Sequence, residues 1–262
     1  TPSQRRSRRK GMISRVDTLQ SVKKPAVVLL SGGMDSAVCM ALAKRDGFPV
    51  HALSIDYGQR HRVELDAARA VARWAEVESH LVVPLDLRPF GGSSLTDLSM
   101  PVPKEGLSDG VPTTYVPARN TILLSLALAL AEVRQAQDIF IGVNAVDYSG
   151  YPDCRPKYIA AFQELANVAL RATAEQGTPT TIHAPLINLS KAEIVRLGAS
   201  LGVPFKQTVS CYDPCSRGRS RSLGGAAEGE EGVIACGRCD SCRIRARAFS
   251  EAGVPDPTLY AA

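Results

Sequence analysis

No segment of this 262-residue chain is long and apolar enough to cross a bilayer. The longest apolar run, Ile122 to Ala131 with Ser125 inside it, is about half the ~18–20 residues a spanning helix needs. No apolar stretch follows the basic residues near the start, so no export signal is expected and the reducing cytoplasm is the default compartment. The chain has no internal repeat, and its length and composition exclude a collagen, a coiled-coil rod or a minimal disulfide scaffold. It also lacks surplus charge beyond its first segment, because Arg5, Arg6, Arg8, Arg9, Lys10 and Arg15 against Asp17 already supply the whole net charge of +5. Residues 1–24 therefore read as a basic, disordered leader. The neutral body offers no basic excess for a groove that tracks phosphates, so neither a nucleic-acid nor a membrane partner is expected.

What is present is ordinary core material, 45% hydrophobic and 22% charged residues, arranged in a βα alternation. Ala26 to Leu30 is a continuous apolar run, as in a strand buried on both faces of a parallel sheet. A helix is predicted over Ala37 to Lys44, and then strands at His51–Ile55, His80–Pro84, Ile139–Val143 and Thr181–Ala184. The intervening helices fall at Arg62–Glu76, Ala118–Gln135, Pro156–Glu175 and Ser190–Ser200, the last opened by Ser190 with Glu193 three residues on, the pattern of a capping box. This predicts an α/β fold with a doubly wound, Rossmann-like parallel sheet over residues 25–209. The connection from Leu85 to Pro117 reads as a structureless lid or binding loop. Residues 210–262 form a separate C-terminal segment with its own chemistry.

Three features carry that chemistry. Ser31-Gly-Gly-Met-Asp-Ser36 lies between the first strand and the first helix, where a doubly wound sheet binds phosphates: glycines admit backbone amides to an anion and the helix N-terminus adds partial positive charge. It lacks the lysine of a Walker A loop. Instead it resembles the SGGxDS loop of the ATP pyrophosphatase (PP-loop) superfamily, whose members cleave ATP to AMP and pyrophosphate while adenylating a substrate oxygen. Next, Cys236, Cys239 and Cys242 form C-x2-C-x2-C, and Cys211 or Cys215 can supply a fourth thiolate; four soft ligands on short connections suit structural zinc, with an iron-sulfur cluster as the other reading. The net negative charge of four thiolates around a divalent ion would be offset by Arg238, Arg243, Arg245 and Arg247 nearby in sequence. Finally, two polar, aromatic-rich stretches, Asp56 to His61 and Asn144 to Arg155, follow strands and face the same crevice, which suits a flat polar heterocycle.

Together with Gly91-Gly-Ser-Ser94, Tyr115-Val-Pro-Ala-Arg-Asn120, Asp147-Tyr-Ser-Gly-Tyr-Pro-Asp-Cys-Arg-Pro156, Leu189-Ser-Lys-Ala-Glu193 and Ser210-Cys-Tyr212, these motifs resemble the 7-cyano-7-deazaguanine synthase family from about Ala26 to about Pro257. The resemblance implies a ligase. ATP adenylates the carboxylate of 7-carboxy-7-deazaguanine, ammonia displaces AMP to give the amide, and a second adenylation lets AMP leave and the nitrile form. It implies that Leu30, Ser31, Gly32, Gly33, Met34, Asp35, Ser36, Asp56 and Tyr57 hold ATP, with magnesium at the departing pyrophosphate, and that Ser31, Asp35, Ser36 and Arg119 act in the chemistry. Arg119, Asn120, Asn144, Asp147, Tyr148, Asp153 and Arg155 would contact the deazaguanine or order the loop that does. The Ser-Cys-Tyr match makes Cys211 the fourth metal ligand beside Cys236, Cys239 and Cys242, across a link longer than the family's usual one. The same adenylation directed at tRNA or another acceptor is the second reading. The sequence leaves open whether the chain acts alone or as a homodimer.

Overall fold

The computed structural model describes residues 23–104, 110–146, 150–215 and 233–261; the leader before Lys23 lies outside them. Five parallel strands form the central sheet: β1 (Ala26–Leu29), β2 (Val50–Asp56), β3 (Ser79–Pro84), β4 (Asp138–Phe140) and β5 (Thr181–His183), in the order β3-β2-β1-β4-β5. The register runs Ala26 beside Val50 on one side of β1 and beside Asp138 on the other. The winding direction thus reverses at β1, and a crevice opens where the β1 and β4 connections leave to opposite faces.

Alternation along β1 distributes the core. Ala26, Val28 and Leu30 face α1 (Met34–Arg45), α2 (Val63–Trp74) and α6 (Lys191–Ser200), while Val27 and Leu29 face α3 (Arg119–Val133) and α4 (Pro156–Ala169). All five of those residues are buried, as expected of a strand covered on both sides. Helix α1 carries Asp35 in its first turn and Lys44 and Arg45 in its last, matching the helix dipole. The capping box on α6 is present in full: Ser190 Oγ accepts from Glu193 N at 3.3 Å, and Ser190 N donates to Glu193 Oε2 at 2.7 Å.

Three sequence expectations change. The helix expected over Pro156–Glu175 breaks at Leu170, which turns extended and buries its side chain; α5 (Arg171–Gln176) restarts with Arg171 N donated to Glu132 Oε1 on α3 at 2.8 Å. Strand β4 ends at Phe140 rather than Val143, because Gly142 has to pass the backbone of Asp35 and Ser36; a Cβ there would lie 2.9 Å from Ser36 N. The connection after Leu85 is ordered rather than structureless over its described residues. Leu95 and Val116 join the core, and the Arg60 guanidinium donates to the carbonyls of Ser94, Asp97, Leu98 and Met100.

The C-terminal segment contributes to the main body as well as to a lobe of its own. Ala248 and Phe249 of α7 (Asp240–Ala252) pack in the same cluster as α1 and α6. Arg245 is buried and fixes that helix: its guanidinium donates to Phe205 O at 3.1 Å and Thr208 Oγ1 at 2.8 Å, and pairs with Asp256 at 3.1 Å. It is not aimed at balancing the cysteines, as the sequence suggested. Two short strands, β6 (Ile234–Ala235) and β7 (Leu259–Tyr260), pair in parallel beside the lobe.

Gly32 supplies a test of how closely the elements pack. Its φ is +86°, and a Cβ would lie 2.1 Å from Glu64 O in the first turn of α2, whereas Gly47, with φ +81°, has open space around it. Gly32→Ala is expected to lower unfolding free energy by about 2–4 kcal/mol through overpacking and left-handed strain, and Gly47→Ala by only ~1 kcal/mol through strain alone. Equal effects on the denaturant midpoint would show that the packing against α2 is unimportant.

Candidate active site and metal cluster

The Ser31–Ser36 loop leaves β1 at the crevice and feeds directly into α1, whose N-cap is Gly33. Its hydroxyls organise it internally. Ser36 Oγ accepts from Ser31 N at 3.2 Å and donates to Gly33 O at 2.9 Å, and Ser31 Oγ accepts from Gly33 N at 3.3 Å. Gly32 O accepts from Val209 N at 3.0 Å, so a segment from far along the chain closes one side of the loop. Asp35 is ion-paired to Lys191 of α6 through Oδ2, while its Oδ1 is buried with no partner among the described residues.

The loop opens into a cavity of about 280 Å³. From the sequence-derived set, Leu30, Ser31, Gly33, Met34, Asp35, Ser36, Tyr57, Arg119, Asn120 and Asn144 line it, whereas Gly32, Asp56, Asp153 and Arg155 do not. Asp147 and Tyr148 lie outside the described residues. Arg119 begins α3 after Ala118, which takes φ +55°, and its Nη1 donates to Tyr57 Oη at 3.4 Å. Asn144 donates from Nδ2 to Leu186 O and Leu189 O, which leaves its buried Oδ1 an acceptor without a partner among the described residues. The cavity thus offers a cation at one helix N-terminus and an unfilled acceptor at the start of the connection after β4.

The residues that do not line the cavity are placed elsewhere. Asp56 pairs with Arg62 at 2.6 Å, and Arg155 is exposed at the start of α4. The buried Asp153 carboxylate accepts from Asn120 N at 3.0 Å, while Asn120 Nδ2 donates to Asp153 O at 3.0 Å. Asp153 therefore orders the first turn of α3, and with it Arg119.

Glu64, Lys191, Tyr151 and Tyr212 also line the cavity, and the sequence did not single them out. Burial pushes the Glu64 carboxyl up to about 7, opposed by the nearby Arg119 charge. Burial likewise pushes the Tyr57 hydroxyl up to about 12, so it stays protonated across the physiological range. An acidic residue in the first turn of a helix is ordinarily solvated, so nothing local marked Glu64 as facing inward.

Cys211, Cys236, Cys239 and Cys242 are all buried, with their sulfurs within 4.8 Å of one another. Backbone N–H groups of Cys236 and Asp213 donate to Cys211 Sγ at 3.2 and 3.3 Å, and Cys239 N donates to Cys236 Sγ at 3.4 Å, contacts that favour thiolates. The four can hold one metal ion. Cys215 is exposed and stands outside the cluster, its N donating to Ile234 O. Cys211→Ser is expected to release bound metal and lower Tm, and Cys215→Ser to change neither, as checked by elemental analysis and calorimetry. Separately, Asp153→Ala strands the Asn120 N–H and is expected to destabilise the fold by about 1–3 kcal/mol; an unchanged Tm would contradict the capping role.

The chain matches the family model described as "Queuosine biosynthesis protein QueC" over residues 25–253. It is 58% identical over 238 residues to the 7-cyano-7-deazaguanine synthase of Stenotrophomonas maltophilia (strain K279a), covering 91% of this chain and 100% of that protein. It is 57% identical over 239 residues to the 7-cyano-7-deazaguanine synthase of Dechloromonas aromatica (strain RCB), covering 91% and 99%. Among solved structures, NMN synthetase from Francisella tularensis overlays with a TM-score of 0.41 at 20% identity, covering 69% of this chain and 63% of that one. With a family match across most of the chain and relatives of this identity at nearly full length, the chain belongs to the QueC family.

Proposed function

We propose that the chain uses ATP and ammonia to convert 7-carboxy-7-deazaguanine to 7-cyano-7-deazaguanine through an amide. The observation that carries this reading is the Ser31–Ser36 loop opening into a cavity that also holds Arg119 and the unfilled acceptor of Asn144. A carboxylate oxygen is a poor leaving group until it is esterified to AMP, so the site has to hold a nucleotide and a carboxylate together. The loop, at the N-terminus of α1, binds the departing pyrophosphate. Arg119 takes the substrate carboxylate and orients its oxygen toward the α-phosphate, and Asn144 Oδ1 accepts a hydrogen bond from a donor on the base.

Magnesium, when bound, neutralises charge on the triphosphate, and the unpartnered, buried Asp35 Oδ1 is suited to it. Lys191 holds the other carboxylate oxygen in place. Zinc fits the cysteine cluster: bonds of ~2.3 Å give tetrahedron edges of roughly 3.8 Å, close to the 4.0 Å between the sulfurs of Cys236 and Cys242. Such a site is structural, with no position left for substrate. No described helix is long and apolar enough to cross a membrane, and we place the enzyme in the cytoplasm, acting on diffusible small molecules.

Incubation with ATP, ammonium and 7-carboxy-7-deazaguanine is expected to give products with the masses of the amide and then the nitrile, with AMP and pyrophosphate released. Asp35→Ala and Ser36→Ala are each expected to slow pyrophosphate release by about 10²–10³, the scale for removing one preorganised polar group at developing charge. Near-normal turnover in both variants would remove the loop from the chemistry.

A further inference from the structure

The proposed reaction contains a step that the loop, Arg119 and Asn144 do not serve. In neutral water ammonia is mostly ammonium, which has no lone pair and cannot attack an acyl adenylate. A group in the cavity has to hold that cation and take its proton.

Among the described residues two carboxylates line the cavity, Asp35 and Glu64. Asp35 is already matched to the Lys191 ammonium. Glu64 sits in the first turn of α2 with its own carbonyl pressed against Gly32, so its backbone is fixed relative to the phosphate loop. Its side chain shares the cavity wall with Ser31 and Arg119, and the apolar Leu53, Ile55 and Leu65 line the same space. A carboxylate beside apolar walls, near the loop where AMP is formed, is a fitting site for a small cation that must give up a proton close to an acyl carbon.

We propose that Glu64 binds the incoming ammonium and acts as the general base that frees its nitrogen to attack the acyl adenylate. The freed lone pair forms the new carbon–nitrogen bond. The carbon–oxygen bond to AMP breaks, its electron pair leaving on the phosphate oxygen. Nitrogen sheds two protons between ammonium and amide: Glu64 accepts the one lost before attack and passes it to water, and the acidic cationic adduct releases the other directly to water. Burial holds its carboxyl near 7, against the pull of Arg119 on α3, which suits a group that must both accept and release protons at neutral pH. Tyr57, the hydroxyl facing it from the end of β2, stays protonated there.

This assignment rests on the adenylation proposed above, and the experiment separates the two. Wild type, Glu64→Gln and Glu64→Asp are compared as full-length protein in three assays: ATP–pyrophosphate exchange dependent on 7-carboxy-7-deazaguanine, amide and nitrile formation with ammonium chloride, and hydroxamate formation with hydroxylamine, a nucleophile that is neutral at neutral pH. Glu64→Gln is expected to keep exchange and hydroxamate formation within about threefold of wild type while losing product from ammonium by ~10²-fold or more, with Glu64→Asp between the two. An equal loss with ammonium and hydroxylamine, or a loss of exchange, would assign Glu64 to nucleotide binding or folding and overturn the inference. Undiminished use of ammonium would overturn it too. If wild type itself shows no exchange dependent on 7-carboxy-7-deazaguanine, the proposed reaction fails first and Glu64 has no such role.

Discussion

Two backbones come into direct contact with the loop after β1, and the rest of the site is arranged around that closeness. On one side Gly32 touches the first turn of α2 with no side chain between them; on the other Gly142 passes Asp35 and Ser36. Each contact is possible only because a Cβ is missing. Their effect is to draw the start of α2 and the start of the connection after β4 onto the same few residues, so that Glu64 and Asn144 line one cavity. The geometry is held by main chain, which leaves the side chains free to carry charge.

That charge is arranged in opposed pairs. Arg119 stands against Glu64 and the Tyr57 hydroxyl, and Lys191 against Asp35. In a space of about 280 Å³, with low-dielectric walls, each pair sets the affinity of its members for anything that enters. In the proposed reaction the substrate carboxylate meets Arg119 and the ammonium meets Glu64. The cavity can therefore take up ions of both signs without presenting an uncompensated charge of its own, and the buried capping of α3 by Asp153 keeps the cationic side in position.

What could be read from the sequence was whatever depended on local pattern. The apolar run at Ala26, the glycine loop, the Ser190–Glu193 cap and the C-x2-C-x2-C spacing all declare themselves within a few residues, and from them came the parallel sheet and three members of the cysteine cluster, while Cys211 rather than Cys215 came from the resemblance of Ser210-Cys-Tyr212. Features imposed by distant neighbours stayed hidden. The break at Leu170 depends on Glu132 of another helix, and the early end of β4 depends on the loop it must pass. From the sequence, Asp153 is expected to contact the base or to order the loop that does; the partner its carboxylate takes, Asn120, lies on a helix 33 positions away in sequence, which no local pattern marks. Helix α7 escaped notice because Arg243, Arg245 and Arg247 obscure its apolar face, although Arg245 is itself buried.

Cys211 lies between Ser210 and Tyr212, both of which line the cavity, and Val209 just before it closes the phosphate loop through Gly32. The wall of the catalytic chamber and the first thiolate of the metal cluster are thus one continuous stretch of chain. The cluster's other three cysteines come from the opposite end of the lobe, at and just before the start of α7. A metal ion held by the four cysteines would tie this wall to the start of α7, so loss of the ion would loosen one side of the cleft without touching the sheet.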